Sequence, residues 1–332
     1  MKYIFGCIAT LIISTASAQT IVRTDGLAGL VDASGTELLP RDYNEITPVV
    51  LDYRVTHLYI LWRDEKYGLY STYDRKNTGC IYDLIEVENG FLRLTLNRKK
   101  GFVARPDDTL YTIVAPIYDE LFLAHEENAF GISRSTEYLL SARKDSLWGI
   151  VSCADGRELI PCKYPHRLER TSDYPLVRMS YPDSFDDLLI NLNTGAEFPV
   201  KKYDKVDFSP DHTLMLVVDY HHNTSGEISS RVCSLESGFV LWSHASKAYE
   251  LRAKFISDQI VRLEETYRDS SSDRSAGKRV HSFYNVTNSA LLLRHEAEEG
   301  YQVSVTFLPD RFVVYTSKVT NGRKEEIGVI FR

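Results

Sequence analysis

Short apolar runs, broken by glycine, proline and aspartate turns, recur along almost the whole chain. The clearest stretch is Lys144–Leu168. It has an apolar run at Leu147–Ser152, a turn at Ala154–Gly156, a second apolar run at Glu158–Pro161, and then Tyr164. Runs this short, rich in β-branched and aromatic residues, predict strands, and the turn residues between them predict hairpins. Degenerate copies follow one another. One is Gly29–Gly35, Leu38-Leu39-Pro40 and Tyr43; the next is Tyr67-Gly68-Leu69-Tyr70, Gly79 and Tyr82-Asp83. Others are Gly101-Phe102-Val103, Ile113, Pro116 and Tyr118-Asp119, then Leu189-Ile190-Asn191, Gly195, Phe198-Pro199 and Tyr203-Asp204. The faintest is Val232–Leu235, Gly238, Val240-Leu241 and Tyr249. The anchoring tyrosines at 43, 82, 118, 164, 203 and 249 keep steps of 39, 36, 46, 39 and 46. That period marks a repeat array.

The second half adds a turn signature. Phe208-Ser-Pro-Asp211, Phe255-Ile-Ser-Asp258 and Phe307-Leu-Pro-Asp310 each lie between two strand-like runs. Proline presets φ and aspartate bonds its own backbone, as a tight inter-strand turn requires. Both halves then fit one frame of four strands. Strand A runs on from the tyrosine and strand B follows the turn, at Leu58–Leu61, Phe91–Leu96, Tyr138–Arg143, Leu176–Met179, Leu214–Val218, Ile260–Leu263 and Phe312–Thr316. Strand C is the Gly-apolar run and strand D the apolar-Pro run. Four short strands in each period make a β-propeller blade. Seven A strands, the last near Tyr301, predict an all-β, seven-bladed propeller, with an open array of β-hairpins as the alternative. Eight C-type strands leave one over, and the N-terminal D strand is a candidate to complete the last blade. Residues 19–332 read as a single β-repeat domain with no linker, in which Tyr220–Ser229 and the Ser-rich Thr266–Lys278 are long loops.

With these residues in view, the chain resembles the WG-repeat (KWG-repeat) proteins of bacteria. Their unit runs Trp-Gly, an apolar pair, Asp, a Gly turn, apolar-Ile-Pro and Tyr-Asp. Leu147–Tyr164 and Gly29–Tyr43 match well, whereas Tyr67–Asp83, Gly101–Asp119 and Leu188–Asp204 match in part. Only Trp148 keeps the tryptophan, and Leu188 stands where glycine is expected. The resemblance covers about residues 24–206, with blade-like repeats over about 207–332. It implies exported β-rich repeats and no common activity.

Composition narrows the setting. The chain has 332 residues, 43% hydrophobic and 26% charged, an ordinary globular balance. Residues 1–18 read as a secretory signal peptide: Lys2, an apolar core at Tyr3–Ile13, and Ala16-Ser17-Ala18 before a cleavage between Ala18 and Gln19. Export to the periplasm, cell surface or medium is expected, with no membrane span after cleavage. Cleavage removes one lysine and no acid, so the net charge moves from −7 to −8. A mildly acidic protein is a poor nucleic-acid binder. The four later cysteines, Cys80, Cys153, Cys162 and Cys233, lack CxxC spacing and read as free, largely buried thiols.

No catalytic or cofactor signature emerges. Gly29, Gly68, Gly101 and Gly149 fall in no phosphate-binding phrase and read as strand glycines that admit a close neighbour. The repeated tyrosines and Trp148 read as packed between blades, with their hydroxyls bonded to backbone. Out-of-register aromatics, Tyr53, Tyr59, Trp62, Tyr174, Tyr181, Tyr220 and Tyr267, are the better sugar-stacking candidates. His221-His222 beside Asp219 would point to opposite faces of a strand and so would rarely share a metal ion. Asp183, Asp186 and Asp187 have no second carboxylate that spacing picks out as their partner, and they read as an acidic loop rather than a glycosidase pair. There is no GxSxG elbow, and neither Asp107/Asp108 nor Asp204/Asp211 makes a calcium loop. Asp108-Thr109-Leu110 and Asp145-Ser146-Leu147 match a short O-glycosylation pattern. The expectation is an exported, non-catalytic binding or scaffold protein that takes a protein or glycan partner and needs no cofactor. The alternative is a glycan-active hydrolase or lyase with its site at a propeller channel mouth.

Overall fold

The computed structural model describes residues 19–51, 54–88, 91–104, 112–124, 139–171, 175–219, 227–267, 278–297, 301–318 and 324–331. The expected leader, Tyr53, Tyr174, Tyr220, His221-His222 and the Asp107–Leu110 motifs lie outside them, as do most of the two long loops. The described residues form 29 strands and no helix. Each sheet is an antiparallel meander of strands consecutive in the chain. The protein is thus an all-β repeat of propeller-blade sheets. It groups into two compact units, Met1–Arg167 and Leu168–Arg332.

The first unit holds four sheets. They are β1 (Thr20–Thr24), β2 (Leu27–Val31) and β3 (Glu37–Tyr43); β4 (Glu45–Leu51), β5 (Arg54–Arg63) and β6 (Lys66–Ser71); β7 (Leu84–Glu88), β8 (Phe91–Leu96), β9 (Lys99–Ala104) and β10 (Thr112–Tyr118); and β11 (Glu120–Leu123), β12 (Leu139–Lys144), β13 (Leu147–Ser152) and β14 (Glu158–Tyr164). Beside β6, single bridges Tyr67↔Tyr82 and Tyr70↔Asn77 stand in for a D strand. The second unit holds β15 (Leu168–Arg170) to β18 (Glu197–Lys201), with β16 (Leu176–Ser180) and β17 (Asp186–Asn191) between them. Then come β19 (Lys205–Phe208), β20 (Leu214–Asp219), β21 (Ile228–Ser234) and β22 (Val240–Ser246), followed by β23 (Glu250–Phe255), β24 (Ile260–Thr266), β25 (Arg279–Asn285) and β26 (Ala290–Ala297). The last sheet is β27 (Tyr301–Phe307), β28 (Arg311–Lys318) and β29 (Lys324–Phe331).

All seven expected A strands are present, and the C strand left over has a sheet of its own. That sheet begins on β1, a B-type strand not anticipated from Thr20–Thr24, and its D strand β3 is hydrogen-bonded to β2. Within each unit the core is one apolar cluster per pair of successive sheets. Leu30, Tyr43 and Leu39 meet Leu61, Tyr59 and Ile46, for example. In the second unit Met215 and Val217 face one neighbouring sheet while Leu214, Leu216 and Val218 face the other. That two-sided burial explains why β20 reads as an unbroken apolar run instead of alternating.

The repeat glycines set the register of the first unit. Residues flanking each glycine pair with D-strand residues that are two further apart than regular pairing allows: Ala28↔Tyr43 and Leu30↔Leu39, Lys100↔Tyr118 and Phe102↔Val114, Trp148↔Tyr164 and Ile150↔Ile160. The two extra residues fold over the glycine. A Cβ at Gly101 would stand 2.4 Å from the Val114 carbonyl oxygen, and one at Gly68 2.4 Å from that of Gly79. Where Leu188 replaces glycine, β17 and β18 pair without a shift, Leu188 opposite Pro199. Glycine and bulge therefore occur together, as sterics demand.

The Asp or Asn after Tyr43, Tyr82 and Tyr118 locks the next B–C turn. Asn44 Oδ1 accepts the Asp64 N–H (3.3 Å), Asp83 Oδ2 that of Asn97 (2.6 Å) and Asp119 Oδ2 that of Asp145 (2.9 Å). Each donor opens a two-residue turn with both φ positive, as in Asp145 (51°) and Ser146 (69°), the geometry that matches strand twist. Asp83 also holds Lys66 Nζ at 2.5 Å, and Asp119 holds Lys99, both lysines coming from the preceding sheet. These lysine bonds come first among the causes that keep both carboxyls below their ordinary range.

Candidate functional site

The three Phe-x-x-Asp turns belong to successive sheets of the second unit, and the structure gathers them around one cleft. It encloses about 690 Å³ and is lined by Pro210 from the first turn, Phe255–Ile260 from the second, and Phe307 at the third. Asn285 and Leu292, flanking the β25–β26 turn, complete the lining. The size is that of ordinary ligand pockets. Phe307 and Leu292 keep 55% and 39% of their surface exposed, so the apolar wall is available to a partner. Phe307 is supported edge-on by the buried Phe312, with centroids 5.3 Å apart.

Hydrogen bonds fix the first two turns against each other. Asp258 Oδ1 accepts the Asp211 N–H (3.1 Å), and Asp207 Oδ2 accepts the Phe255 N–H (2.8 Å). Within the first turn, Ser209 Oγ donates to Asp211 Oδ1 (2.6 Å) and accepts the Leu214 N–H (2.9 Å). Burial would raise the Asp211 carboxyl, but donors on Ser209 and Thr213 outweigh it and hold it low. That part of the rim is thus preorganised, and Asp211 stays ionised at neutral pH.

A second cluster joins β22 to β24 and β25. His244 Nε2 lies 3.2 Å from Glu265 Oε1, which also accepts the Tyr267 hydroxyl (3.1 Å). The His244 ring stacks on Trp242 at 6.0 Å. Burial pushes Glu265 up, and its bonds from His244, Ser246 and Tyr267 bring it below its ordinary value. Nearby, His281 is buried and its Nδ1 faces Arg262 Nη2 at 3.1 Å. Burial first, then the Arg262 charge, lowers His281 to about 4. These groups are spent on one another: His244 and Glu265 join neighbouring sheets, and Arg262, which faces His281 within one sheet, also donates to the Val303 carbonyl of the next (3.2 Å).

The residues singled out in the sequence fall as follows. Tyr43, Tyr82, Tyr118, Tyr164 and Trp148 are buried. The Tyr43 hydroxyl accepts from the Asn77 side chain (3.1 Å) and that of Tyr118 donates to Glu158 (3.4 Å), side-chain partners where backbone was expected. Tyr203 and Tyr249 are more than half exposed, against the expected packing between blades. The residues that fill those places are Phe198 and Val200 in one sheet and Trp242 in the next, which pair without the glycine bulge. Tyr59 is buried, Trp62 and Tyr181 are partly exposed, and Tyr267 serves Glu265. Asp183 and Asp186 are exposed, whereas Asp187 is buried with Arg178 Nε 3.7 Å from it, so the three do not converge. All four described cysteines are free thiols. No group of three His, Cys, Asp or Glu among the described residues is placed to hold a metal, and no helix there is long and apolar enough to cross a membrane. Glu265 and His244 carry no sequence signal, and neither do the cleft residues Asn285 and Leu292.

No family model matches the chain, and no curated protein matches it. Among solved structures it is similar to Kluyveromyces lactis Hsv2, with TM-score 0.29 and 10% identity over 79% of this chain and 87% of that one. A eukaryotic initiation factor gives TM-score 0.33 and 9% identity over 95% and 98%. Saccharomyces cerevisiae Sqt1 gives 0.27 and 12% over 80% and 91%. Likenesses this loose carry no argument about ligand or partner.

Proposed function

We propose that the protein is an exported, non-catalytic binding module whose partner is a protein seated at the second unit's cleft. The observation that carries this reading is the cleft itself: exposed Phe307 and Leu292 supply an apolar wall, beside two turns that Asp258 and Asp207 tie to each other. Exposed aromatic and aliphatic anchors on a fixed frame are what a protein interface uses for affinity. Export rests on the leader pattern of Lys2, Tyr3–Ile13 and Ala16–Ala18. A photoreactive side chain at position 292 or 307 tests the partner. It is expected to crosslink a protein that the same group at Lys76 does not reach; equal crosslinking at both places would sink the proposal. Sequencing the mature N-terminus tests export, with Gln19 expected first.

A glycan partner is the second reading. What favours it is the pair Phe185 and Tyr203, 62% and 58% exposed with ring centroids 6.2 Å apart, an apolar surface of the kind that a sugar face covers. A glycan array read with wild type and with Y203A distinguishes this site from the cleft.

A further inference from the structure

The turns that surround the cleft have one sign of charge. The A–B turns of the three sheets from β19 to β29 contain Asp211, Asp258 and Asp310, and no lysine or arginine, and the β25–β26 turn is uncharged. Arg311 opens β28 and lies 3.8 Å from Asp310, offsetting one of the three. Asp258 lines the cleft, Asp211 is bonded to it, and Asp310 ends the turn that Phe307 begins. The cleft wall between them is mixed: Pro210, Phe255, Ile260, Leu292 and Phe307 supply its apolar part, beside the polar Gln259 and Asn285.

From this arrangement we infer that the occupant is a protein segment with an aromatic or aliphatic anchor flanked by lysine or arginine. The inference rests on the cleft being the binding site, as proposed above. The anchor enters the apolar wall, and the flanking cations meet the aspartates, which remain exposed enough to be screened by salt. Rim charges of this kind govern partner choice and association rate more than total affinity. An acidic segment with the same anchor meets like charge on each side and is rejected.

Fluorescence polarisation with the full chain tests this with labelled peptides. One carries phenylalanine and leucine between lysines, a second replaces the lysines with glutamates, and a third keeps the lysines but replaces the anchors with serines. The first is expected to bind at least about tenfold tighter than either of the others, a difference in line with the loss of one charged contact or one buried anchor. Its binding is expected to weaken as salt rises. Leu292→Lys, a change at an exposed position, is expected to abolish it, and the double variant D258N/D310N to remove the preference for lysine over glutamate. Equal binding of the lysine and glutamate peptides, both lost in L292K, overturns the charge inference and leaves the cleft. Binding that L292K does not alter, or no binding of any anchored peptide, overturns both.

Discussion

Gly149→Ala is the most direct test of how the first unit is built. The glycine lies on a strand, outside the left-handed region, so on backbone grounds alone alanine would be neutral or would stabilise by roughly 0.5–1 kcal/mol. The structure predicts the opposite sign. The new Cβ would stand 2.5 Å from the Ile160 carbonyl oxygen, 2.8 Å from the Pro161 carbonyl carbon and 2.8 Å from the Cys162 nitrogen. All three are backbone atoms of one segment, so no side-chain rotation relieves the clash, and β14 has to retreat by roughly 0.9 Å to reach ordinary contact. Overpacking costs about 1–3 kcal/mol, and loosening the Trp148↔Tyr164 and Ile150↔Ile160 pairings adds about 1 kcal/mol per hydrogen bond lost. A total near 3 kcal/mol corresponds to a fall in Tm of about 6–12 °C for a unit of this size. Scanning calorimetry measures the shift, and near-ultraviolet circular dichroism follows Trp148. Gly195→Ala is the comparison: φ is +72° and nothing lies within 4 Å, so only backbone strain of about 1 kcal/mol applies. If Gly149→Ala raised Tm, or lowered it no further than Gly195→Ala does, the bulge would not depend on the missing side chain.

Other consequences can be measured. The second unit is expected to lose stability on acidification. His281 is held neutral with a value of about 4 against an ordinary 6.5, so the unfolded chain takes up its proton first and stability falls between about pH 6.5 and 4, by at most about 3 kcal/mol. Denaturant melts across that range, with and without His281→Gln, show the effect, and an unchanged profile in the variant would refute it. Glu265, held below its ordinary value, adds stability that is present above the unfolded value and lost as pH falls through the folded one. Asp119→Ala strips the Asp145 N–H of its acceptor and Lys99 of its partner, at a cost of about 1 kcal/mol in thermal melts, and Asp119→Asn is expected to recover part of it by keeping the acceptor. Burial pushes the Cys153 thiol up to about 12 and also raises Cys80, Cys162 and Cys233, so a thiol reagent at neutral pH is expected to label them slowly in the folded protein and rapidly in denaturant.

The alternation of short apolar runs and turns is enough to read the class of fold, because each strand signal is local and repeats. The same holds for the glycines at 29, 68, 101 and 149, whose recurrence, three times before an apolar-Pro run, points to a close strand crossing. The strand β1 is hard to see in the sequence because Thr20–Thr24 has polar ends and only a half-buried middle. Tyr203 and Tyr249 keep the spacing of the buried tyrosines but not their surroundings: the slot is made by the bulge, and spacing alone does not report a bulge that is absent. The cleft is half legible. Its aspartate turns stand out as a repeated phrase, while Asn285 and Leu292 come from the far side of the next hairpin and share no motif with them. His244 and Glu265 meet across two sheets, a pairing that depends on strand register and leaves no trace in the order of residues.

The shared aspartates of the first unit have a mechanical meaning. Asp83 and Asp119 each hold a turn in one sheet and a lysine in the sheet before it. If either sheet frays, its neighbour loses a turn lock as well as an apolar face. In a repeat array, coupling of this kind between nearest neighbours decides whether repeats melt singly or together. Here it favours a single sharp transition, so that a protease meets either the whole folded row or an open chain, and few half-unzipped forms between them.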